Sequence, residues 1–283
     1  MKKWMVLVTA LVMCLALLGY AAAEDVEEMG EGTVQFFDNA PATETTEEPT
    51  QVETMVPDNV DRAIIGRDDR ITISNVKEFP YSAIAYLDVQ AECGCRWTAS
   101  GFVGGKPDVI ITAAHCLVCT DHGKWADRLN IYFGYKSKSN YMYKYSGGWE
   151  AWVGNIFPNH EYSIDNDWGV IKVNENIAGK VGGFGTVFGM SDQETKSTHV
   201  VVAGYRDAKL RKDSGYLEIL DKDHTYFYMD EVSGNSGGPI FTEDGYAVGI
   251  IIAENVKNSV GIFNVGYRLT GEIWNKIHEL SSY

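Results

Sequence analysis

The stretch Gly234-Asn235-Ser236-Gly237-Gly238-Pro239 places a serine hydroxyl inside a glycine-rich turn. Because glycine has no Cβ, Gly234 can adopt backbone conformations that turn its N–H group outwards. The N–H groups of Gly234 and Ser236 could then bind a developing oxyanion while the Ser236 hydroxyl acts as a nucleophile. The same residue types are common in ordinary turns. The segment is therefore a candidate catalytic turn that needs support from elsewhere in the chain.

Two further segments contain the partners that a serine nucleophile needs. Thr112-Ala113-Ala114-His115-Cys116 follows the apolar run Val109-Ile110-Ile111, and Asn166-Asp167-Trp168-Gly169 leads into a second apolar run. A serine hydroxyl needs a general base near neutral pH, and that base needs an acid that fixes its tautomer. We therefore assign His115 as the candidate base, Asp167 as the orienting acid and Ser236 as the nucleophile.

The neighbouring aspartate and the remaining histidines are weaker candidates. Asp165 competes with Asp167, but Asp167 directly precedes an apolar stretch and is expected to be buried at the start of a strand. Only His115 follows a strand-like apolar run that ends in small residues. The other histidines lie in polar or mixed segments that are typical of solvated surface histidines: His122, His160, His199, His224 and His278.

The order His, Asp, Ser and the three segments that carry it resemble those of the trypsin/chymotrypsin superfamily. The chain is most similar to the V8-like branch, the bacterial glutamyl endopeptidases, because residues 64–70, 79–84, 202–205 and 267–270 add weaker matches. The resemblance covers roughly residues 63–283. It implies a serine endopeptidase that cleaves protein or peptide substrates through an acyl-enzyme intermediate.

The residue pattern of this region predicts an all-β fold with one terminal helix. Short apolar or alternating segments recur and are separated by turn residues. Thr270 is the predicted N-cap of a C-terminal α-helix with apolar residues at helical spacing, namely Ile273, Trp274, Ile277 and Leu280. Together with the resemblance, this pattern predicts a chymotrypsin-like double β-barrel that occupies residues 63–283, with the barrels dividing near residues 174–183.

The first 62 residues are predicted to lie outside this domain. Residues 1–23 carry two lysines, an apolar run and Ala21-Ala22-Ala23, which is the pattern of a cleavable secretory signal peptide. An uncleaved membrane anchor is the alternative. Residues 24–62 contain 12 acidic residues and one base, so we expect a disordered propeptide or linker. These features predict a secreted, extracellular protein of the bacterial export type.

The resemblance adds an expectation about processing. Bacterial relatives carry a propeptide at this place, so cleavage after Arg62 would leave Ala63 as the new N-terminus. Trypsin pairs its new α-amine with an aspartate just before the catalytic serine, and Asn235 stands there in this chain. Without that aspartate the trypsin route of activation is not available to this chain. It implies instead that Ala63 or Ile64 helps to form the substrate pocket.

The charge distribution limits the possible partners. The net charge of −15 is concentrated in residues 24–62, and the remainder of the chain has no basic stripe that could neutralise phosphates. Nucleic acid is therefore not an expected partner. We expect a monomer without a cofactor, and contact with a membrane only if the signal segment stays uncleaved.

The cysteines suggest disulfide bonds. Removal of the signal would leave Cys93, Cys95, Cys116 and Cys119, an even number that suits two bridges in an oxidising compartment. A bridge between Cys93 and Cys95 would be strained, so we expect links between the two clusters, in either connectivity. A zinc site is the alternative use of the C-x-C and C-x-x-C spacing. Disulfides are the favoured interpretation, and no metal site is predicted.

Four residues near the candidate serine bear on substrate preference. Glutamyl endopeptidases have a histidine where Ile251 stands and a threonine or serine where Glu231 stands, which counts against glutamate at P1. Asp230 matches the aspartate with which trypsin selects Arg and Lys. With Glu231 and Glu254 nearby, a cationic P1 side chain is the physical expectation. Glutamate preference and broad specificity remain the alternatives.

A second class of function stays open. Some relatives of proteases lose a catalytic residue and serve as binding modules, but all three candidates are present here. Ile251 and Glu254 keep this alternative in view, because they crowd a strand that normally runs beside the substrate backbone.

Overall fold

The computed structural model describes residue 65 and residues 68–145, 147–157, 162–258 and 261–280, with the backbone alone at 254–258 and 261–262. The predicted signal segment and the acidic segment lie outside the described residues, as do Ala63, Ile64, His160 and the side chain of Glu254. All the described residues belong to one compact unit of the chain.

The described chain forms seventeen strands, as the short alternating segments predict. In chain order they are β1 (Ile71–Thr72), β2 (Ile84–Ala91), β3 (Arg96–Val103), β4 (Val109–Thr112), β5 (Val118–Cys119), β6 (Lys124–Phe133), β7 (Tyr143–Tyr145), β8 (Trp149–Val153), β9 (Gly169–Val173), β10 (Gly185–Thr186), β11 (His199–Arg206), β12 (Lys209–Tyr216), β13 (Glu218–Ile219), β14 (His224–Phe227), β15 (Pro239–Phe241), β16 (Tyr246–Asn258) and β17 (Gly261–Arg268).

The strands divide into two sheets. The first has the order β5-β6-β2-β3-β4-β9-β8, with β7 paired to β6, and all its neighbours are antiparallel. The second has the order β1-β12-β11-β15-β16-β17-β14-β13, and β10 adds to β16 in parallel. Strand β1 precedes every strand of the first sheet in the chain, yet it pairs with β12 in the second sheet.

Burial follows the position of each strand in its sheet. β2 has buried residues at alternate positions, with half-buried residues between them. β4 lies between β3 and β9 and is buried at all four positions. Full burial of Ile110 and Ile111 contributes about 1.5–3 kcal/mol per side chain. The strand that leads to His115 is thus held firmly within the first sheet.

Three α-helices complete the described chain: α1 (Ala178–Val181), α2 (Asp192–Ser197) and α3 (Gly271–Glu279). Ser191 and Glu194 form a capping box at the start of α2. Thr270 is the N-cap of α3, and Ile273 and Ile277 are buried, as the helical spacing predicts. The predicted all-β architecture with a C-terminal α-helix is confirmed.

Helix α3 packs against the turn that precedes β4. A Cβ at Gly105 would lie 3.0 Å from two carbon atoms of Ile277, and Lys106 donates hydrogen bonds to the carbonyls of His278 and Leu280. The helix at the end of the chain therefore stabilises the first sheet. Among the described residues, no helix has the length and apolar character needed to cross a membrane.

Candidate active site

Strand pairing brings His115 and Asp167 together. Thr112 at the end of β4 lies opposite Gly169 at the start of β9. His115 lies just beyond Thr112 in the 3₁₀ turn Ala114–Cys116, and Asp167 lies just before Gly169. Nδ1 of His115 is 2.6 Å from Oδ2 of Asp167, and the His115 backbone N–H donates to Oδ1 at 2.9 Å. One carboxylate therefore fixes both the ring and the backbone of His115.

The Asp167 side chain is fully buried, whereas Asp165 is exposed. The Asp165 N–H donates to the Ser163 hydroxyl at 3.1 Å, which closes the turn that leads to Asp167. The Tyr162 hydroxyl donates to Oδ2 of Asp167 at 3.0 Å. The structure thus brings Asp167 to His115, and it adds a tyrosine that the sequence analysis missed. Nothing in its spacing distinguishes Tyr162 from the other tyrosines of the chain.

The charge state of His115 is set by two opposing effects. Burial disfavours the charged imidazolium and is the largest single influence on the pKa of His115, which it lowers, but the interactions with Asp167 and then with Cys116 together outweigh burial. The pKa of His115 therefore lies well above the usual 6.5 of a histidine. A base with a raised pKa accepts a proton more readily, which suits a group that must remove one from a serine hydroxyl.

The serine turn packs against the segment that carries His115. Gly237 has a φ of +81°, and a Cβ there would lie 2.2 Å from Oγ1 of Thr112 and 3.2 Å from the backbone nitrogen of Ala113. Only glycine permits this approach. Because Ser236 directly precedes Gly237, the serine lies beside the end of β4 that leads to His115.

Ser100 joins the two sheets at this point. Its N–H donates to the carbonyl of Ser236 at 2.8 Å, and its hydroxyl donates to the carbonyl of Gly234 at 2.9 Å. The same hydroxyl accepts the N–H of Tyr205 at 2.8 Å. Ser100 was not among the residues predicted from the sequence. A small polar residue directly before Gly101-Phe102-Val103, in the buried half of β3, is the signal that could have identified it, since a buried hydroxyl requires partners.

The N–H groups of Gly234 and Ser236 meet the first requirement of an oxyanion hole. Within the described part of the chain, neither N–H donates to a protein acceptor. Gly234 has a φ of +100°, and a Cβ there would lie 2.8 Å from the carbonyl oxygen of Tyr205. Glycine is therefore required at this position by both conformation and space.

Comparison with known proteins identifies the family. The model of the trypsin-like peptidase domain matches residues 99–250, more than half of the 283-residue chain. The chain belongs to the trypsin-like peptidase family. This membership places it among the protease hydrolases of the serine endopeptidase type, and the matched residues include His115, Asp167 and Ser236.

Two bacterial relatives match this trypsin-like peptidase over most of its length. The glutamyl endopeptidase of Bacillus licheniformis is 25% identical over an alignment 233 residues long, which covers 76% of this chain and 68% of the relative. A Bacillus subtilis protein named extracellular metalloprotease is 28% identical over an alignment 246 residues long, which covers 82% of this chain and 72% of the relative. The resemblance to the V8-like branch is thereby confirmed.

A solved structure shows the same fold. The structure of a Glu endopeptidase in complex with MPD has a TM-score of 0.63 and 24% identity, and the match covers 76% of this chain and 97% of that one. The predicted chymotrypsin-like double β-barrel is therefore confirmed.

His224 was predicted to be a solvated surface histidine, but its environment in the structure is different. His224 of this trypsin-like peptidase is buried rather than solvated, so the prediction of a surface histidine is wrong for it. Nδ1 of His224 lies 2.8 Å from Asp221, and Nε2 lies 3.0 Å from the carbonyl oxygen of Ile164. His224 thus ties the second sheet to the turn that precedes Asp167. His122, His199 and His278 are exposed, as expected.

Asp230 also lies in an environment that the sequence did not predict. It is buried, and its carboxylate accepts the N–H of Ile65 at 2.7 Å and the N–H of Asp69 at 3.3 Å. The pKa of the Arg70 guanidinium is raised mainly by its hydrogen bond with Asp68; burial opposes this rise, and the charges of Glu231 and then Asp230 add to it. The carboxylate therefore binds the N-terminal segment of the domain, which no local pattern in the sequence could indicate.

Glu231 and Ile251, which were also proposed for substrate binding, are buried as well. Glu231 accepts a hydrogen bond from the side-chain amide of Asn235, directly before Ser236. Ile251 lies in a small apolar cluster with Val202 and Phe227, and its carbonyl accepts the N–H of Gly237 at 2.8 Å. Glu231 and Ile251 therefore support the serine turn from two sides.

Replacement of Asp230 by alanine tests this structural role. We expect the free energy of unfolding to fall by about 2 kcal/mol, because two backbone N–H donors lose their acceptor. Urea unfolding measures this change. The ratio of kcat/KM for peptides with Arg and with Glu at P1 should stay unchanged.

Asp69→Asn is the matched control, because it keeps the backbone N–H and removes a carboxylate near Asp230. We expect its stability to equal or exceed that of the parent. Burial is the main cause that raises the pKa of Asp230, and the charge of Asp69 adds to it, so removing that charge favours the ionised form of Asp230. Normal stability of Asp230→Ala, together with a selective loss of cleavage after Arg, would return Asp230 to the substrate pocket.

The two predicted disulfides are not formed in this structure. The four cysteines of the described chain are all free thiols. Cys93, Cys95 and Cys119 lie together, whereas the buried Cys116 contacts His115, with Sγ 3.9 Å from Nε2. Cys116 lies in the 3₁₀ turn and Cys119 in β5, so the chain directs the two side chains to different places.

Proposed function

We propose that this protein is a serine endopeptidase in which His115, Asp167 and Ser236 act as the catalytic triad. The observation that carries the proposal is the 2.6 Å contact between His115 and the buried carboxylate of Asp167, beside the segment on which the serine turn packs. Family membership supports the same reaction class.

Each residue has a defined part in the proposed reaction. The Ser236 hydroxyl attacks the carbonyl carbon of the peptide bond while Nε2 of His115 takes its proton. The N–H groups of Gly234 and Ser236 bind the oxyanion that forms. The C–N bond then breaks, and His115 gives the proton to the leaving amine. Water, deprotonated by His115, hydrolyses the acyl ester, and the proton returns to Ser236.

Asp167 serves this cycle by orienting and stabilising the imidazolium. The positive charge on His115 during catalysis lies against a carboxylate that is removed from solvent, where charge interactions are stronger than in water. Tyr162 keeps the second lone pair of Oδ2 occupied. This arrangement favours the tautomer that leaves Nε2 free to accept the serine proton.

The expected preference for Arg or Lys at P1 has less support than the triad. It requires carboxylates that face the substrate, but Asp230 binds the N–H groups of Ile65 and Asp69, and Glu231 binds Asn235. The proposal is therefore endopeptidase activity without an ion pair between Asp230 and the P1 side chain. A peptide-library digest that reports the residue before each cut measures the preference directly.

We also propose export and processing. Support comes from the signal-like composition of residues 1–23 and the acidic composition of residues 24–62. The Bacillus subtilis relative carries the word extracellular in its name. In this proposal residues 24–62 form a propeptide, and cleavage after Arg62 yields the active form.

Covalent labelling tests the proposed nucleophile. A fluorophosphonate probe should label the processed protein at Ser236, because an activated serine attacks phosphorus as it attacks a carbonyl. Ser236→Ala should abolish the label. Ser233→Ala is the matched control, since Ser233 is an exposed serine of the same loop, and it should label normally. Failure of the processed parent protein to take the label would contradict the proposal and favour a binding module.

A further inference from the structure

Two turns at the same edge of the first sheet bring four metal-binding side chains together. Cys93 and Cys95 lie in the turn between β2 and β3. Cys119 ends β5, and His122 lies in the turn to β6, where the N–H of Gly123 donates to the carbonyl of Cys119 at 2.8 Å. Because β2 pairs with β6, the two turns lie side by side.

The distances between the donor atoms match those of a tetrahedral metal shell. Nδ1 of His122 lies 3.5 Å from Sγ of Cys95 and 3.4 Å from Sγ of Cys119. All four donor atoms lie within 4.8 Å of one another. With Zn–S bonds of about 2.3 Å and a Zn–N bond of about 2.0 Å, tetrahedral geometry separates sulfur from nitrogen by about 3.5 Å. The side chains need little rearrangement to bind a metal ion.

We propose that Cys93, Cys95, Cys119 and His122 bind one structural zinc ion. Three thiolates and one imidazole are soft ligands that favour zinc over magnesium or calcium. Four protein ligands fill the tetrahedral shell and leave no position for a reacting water, so the ion has a structural role. Cys93 and His122 are exposed, which gives the ion a path from solvent.

The position of the site explains what the ion would stabilise. β5 follows directly after the turn that carries His115, so a metal bound to Cys119 fixes the far end of that segment. The near end is fixed by β4, and the indole N–H of Trp97 donates to the carbonyl of Cys116 between them at 3.1 Å. Beyond His115, β5 and β6 pair at only two positions. The zinc site would therefore stabilise the segment that carries His115 where strand pairing is short.

A disulfide between Cys119 and either Cys93 or Cys95 is the competing use of these thiols. It would need a sulfur–sulfur distance of about 2.05 Å and would involve only two of the four side chains. The inclusion of His122 favours metal over disulfide, because a histidine with Nδ1 directed at two sulfur atoms adds nothing to a disulfide. It completes a zinc shell.

Metal analysis of the full chain tests the proposal. The Ser236→Ala protein prevents self-digestion and should be purified both under reducing conditions and after exposure to air. Elemental mass spectrometry should find about one zinc ion per chain. A chelator should remove it and lower the midpoint of thermal unfolding. Addition of Co²⁺ to the chelated protein should produce the thiolate-to-cobalt charge-transfer absorption and the d–d bands of a tetrahedral site.

Variants locate the site and keep the test independent of folding. Cys119→Ser should lose zinc, and His122→Ala, which changes an exposed side chain, should bind zinc at least about tenfold more weakly. Cys116→Ala and His199→Ala are the matched controls and should keep the full zinc content. Unchanged zinc binding in both His122→Ala and Cys119→Ser would overturn the proposal. A Cys119-linked disulfide in both preparations, with no zinc in either, would overturn it as well.

Discussion

Replacement of Ser236 by alanine is expected to lower kcat about 10⁶-fold while the fold stays intact. The substitution removes only the hydroxyl, so the backbone hydrogen bonds that shape the turn remain. One of them is the bond that the Ser100 N–H donates to the Ser236 carbonyl. The packing of Gly237 on Thr112 also remains. Without the hydroxyl no acyl-enzyme can form, and His115 has no serine proton to remove.

The residual rate of this variant is informative. The N–H groups of Gly234 and Ser236 that form the proposed oxyanion hole belong to the backbone and survive the substitution, so we expect a rate about 10³–10⁴ above that in water to persist. Steady-state assays with a peptide found by the library digest measure kcat, and circular dichroism checks the fold. Ser233→Ala is the matched control and should keep the parent kcat. A Ser236→Ala protein with activity close to that of the parent would exclude Ser236 as the nucleophile.

The central part of the candidate site could be predicted because each residue lies next to a local signal. His115 follows the apolar strand β4, Asp167 precedes β9, and Ser236 is framed by glycines. The antiparallel register between β4 and β9 then brings the first two together. Asp167 was preferred over Asp165 because it directly precedes an apolar stretch, and Asp167 is the aspartate that contacts His115.

The supporting residues could not be predicted, because their roles depend on contacts between distant segments. Ser100 and Tyr162 act through hydrogen bonds to Ser236, Gly234 and Asp167 that no spacing rule encodes. Asp230 matched a known position in sequence, yet the N-terminal segment folds back onto it. The position and the negative charge of Asp230 pointed to a substrate pocket, because its contacts with the N-terminal segment are not visible in the sequence.

The same distinction applies to the fold. The short strands and helix α3 follow from alternation and helical spacing, both of which are local. The crossing of β1 to the second sheet, where Ile71 pairs with Lys212, has no local signal. The environment of His224 was missed for a related reason, since its partner Ile164 lies in the turn between β8 and β9, 60 residues away in the chain.

Asp167→Asn is the second variant with a large expected effect, a fall in kcat of about 10⁴-fold. Asparagine keeps the size of the side chain but removes its charge, so the imidazolium that forms during catalysis loses its counter-charge. An amide can also donate to Nδ1, which would favour the tautomer with the proton on Nε2. In that tautomer His115 cannot accept the serine proton.

The pH dependence separates this electrostatic role from simple loss of structure. A base must be neutral to accept a proton, so in the parent protein kcat/KM should rise with pH through a value above 6.5, in line with the raised pKa of His115. In Asp167→Asn burial, the largest influence and one that lowers this pKa, remains, whereas the charge of Asp167 is gone and only the smaller interaction with Cys116 still raises the pKa. The acid limb of the profile should therefore move to lower pH even as the maximal rate falls.

Asp165→Asn, a change at an exposed carboxylate close by, should keep both the rate and the profile of the parent. An Asp167→Asn profile whose acid limb coincides with that of the parent would show that Asp167 does not set the charge state of His115.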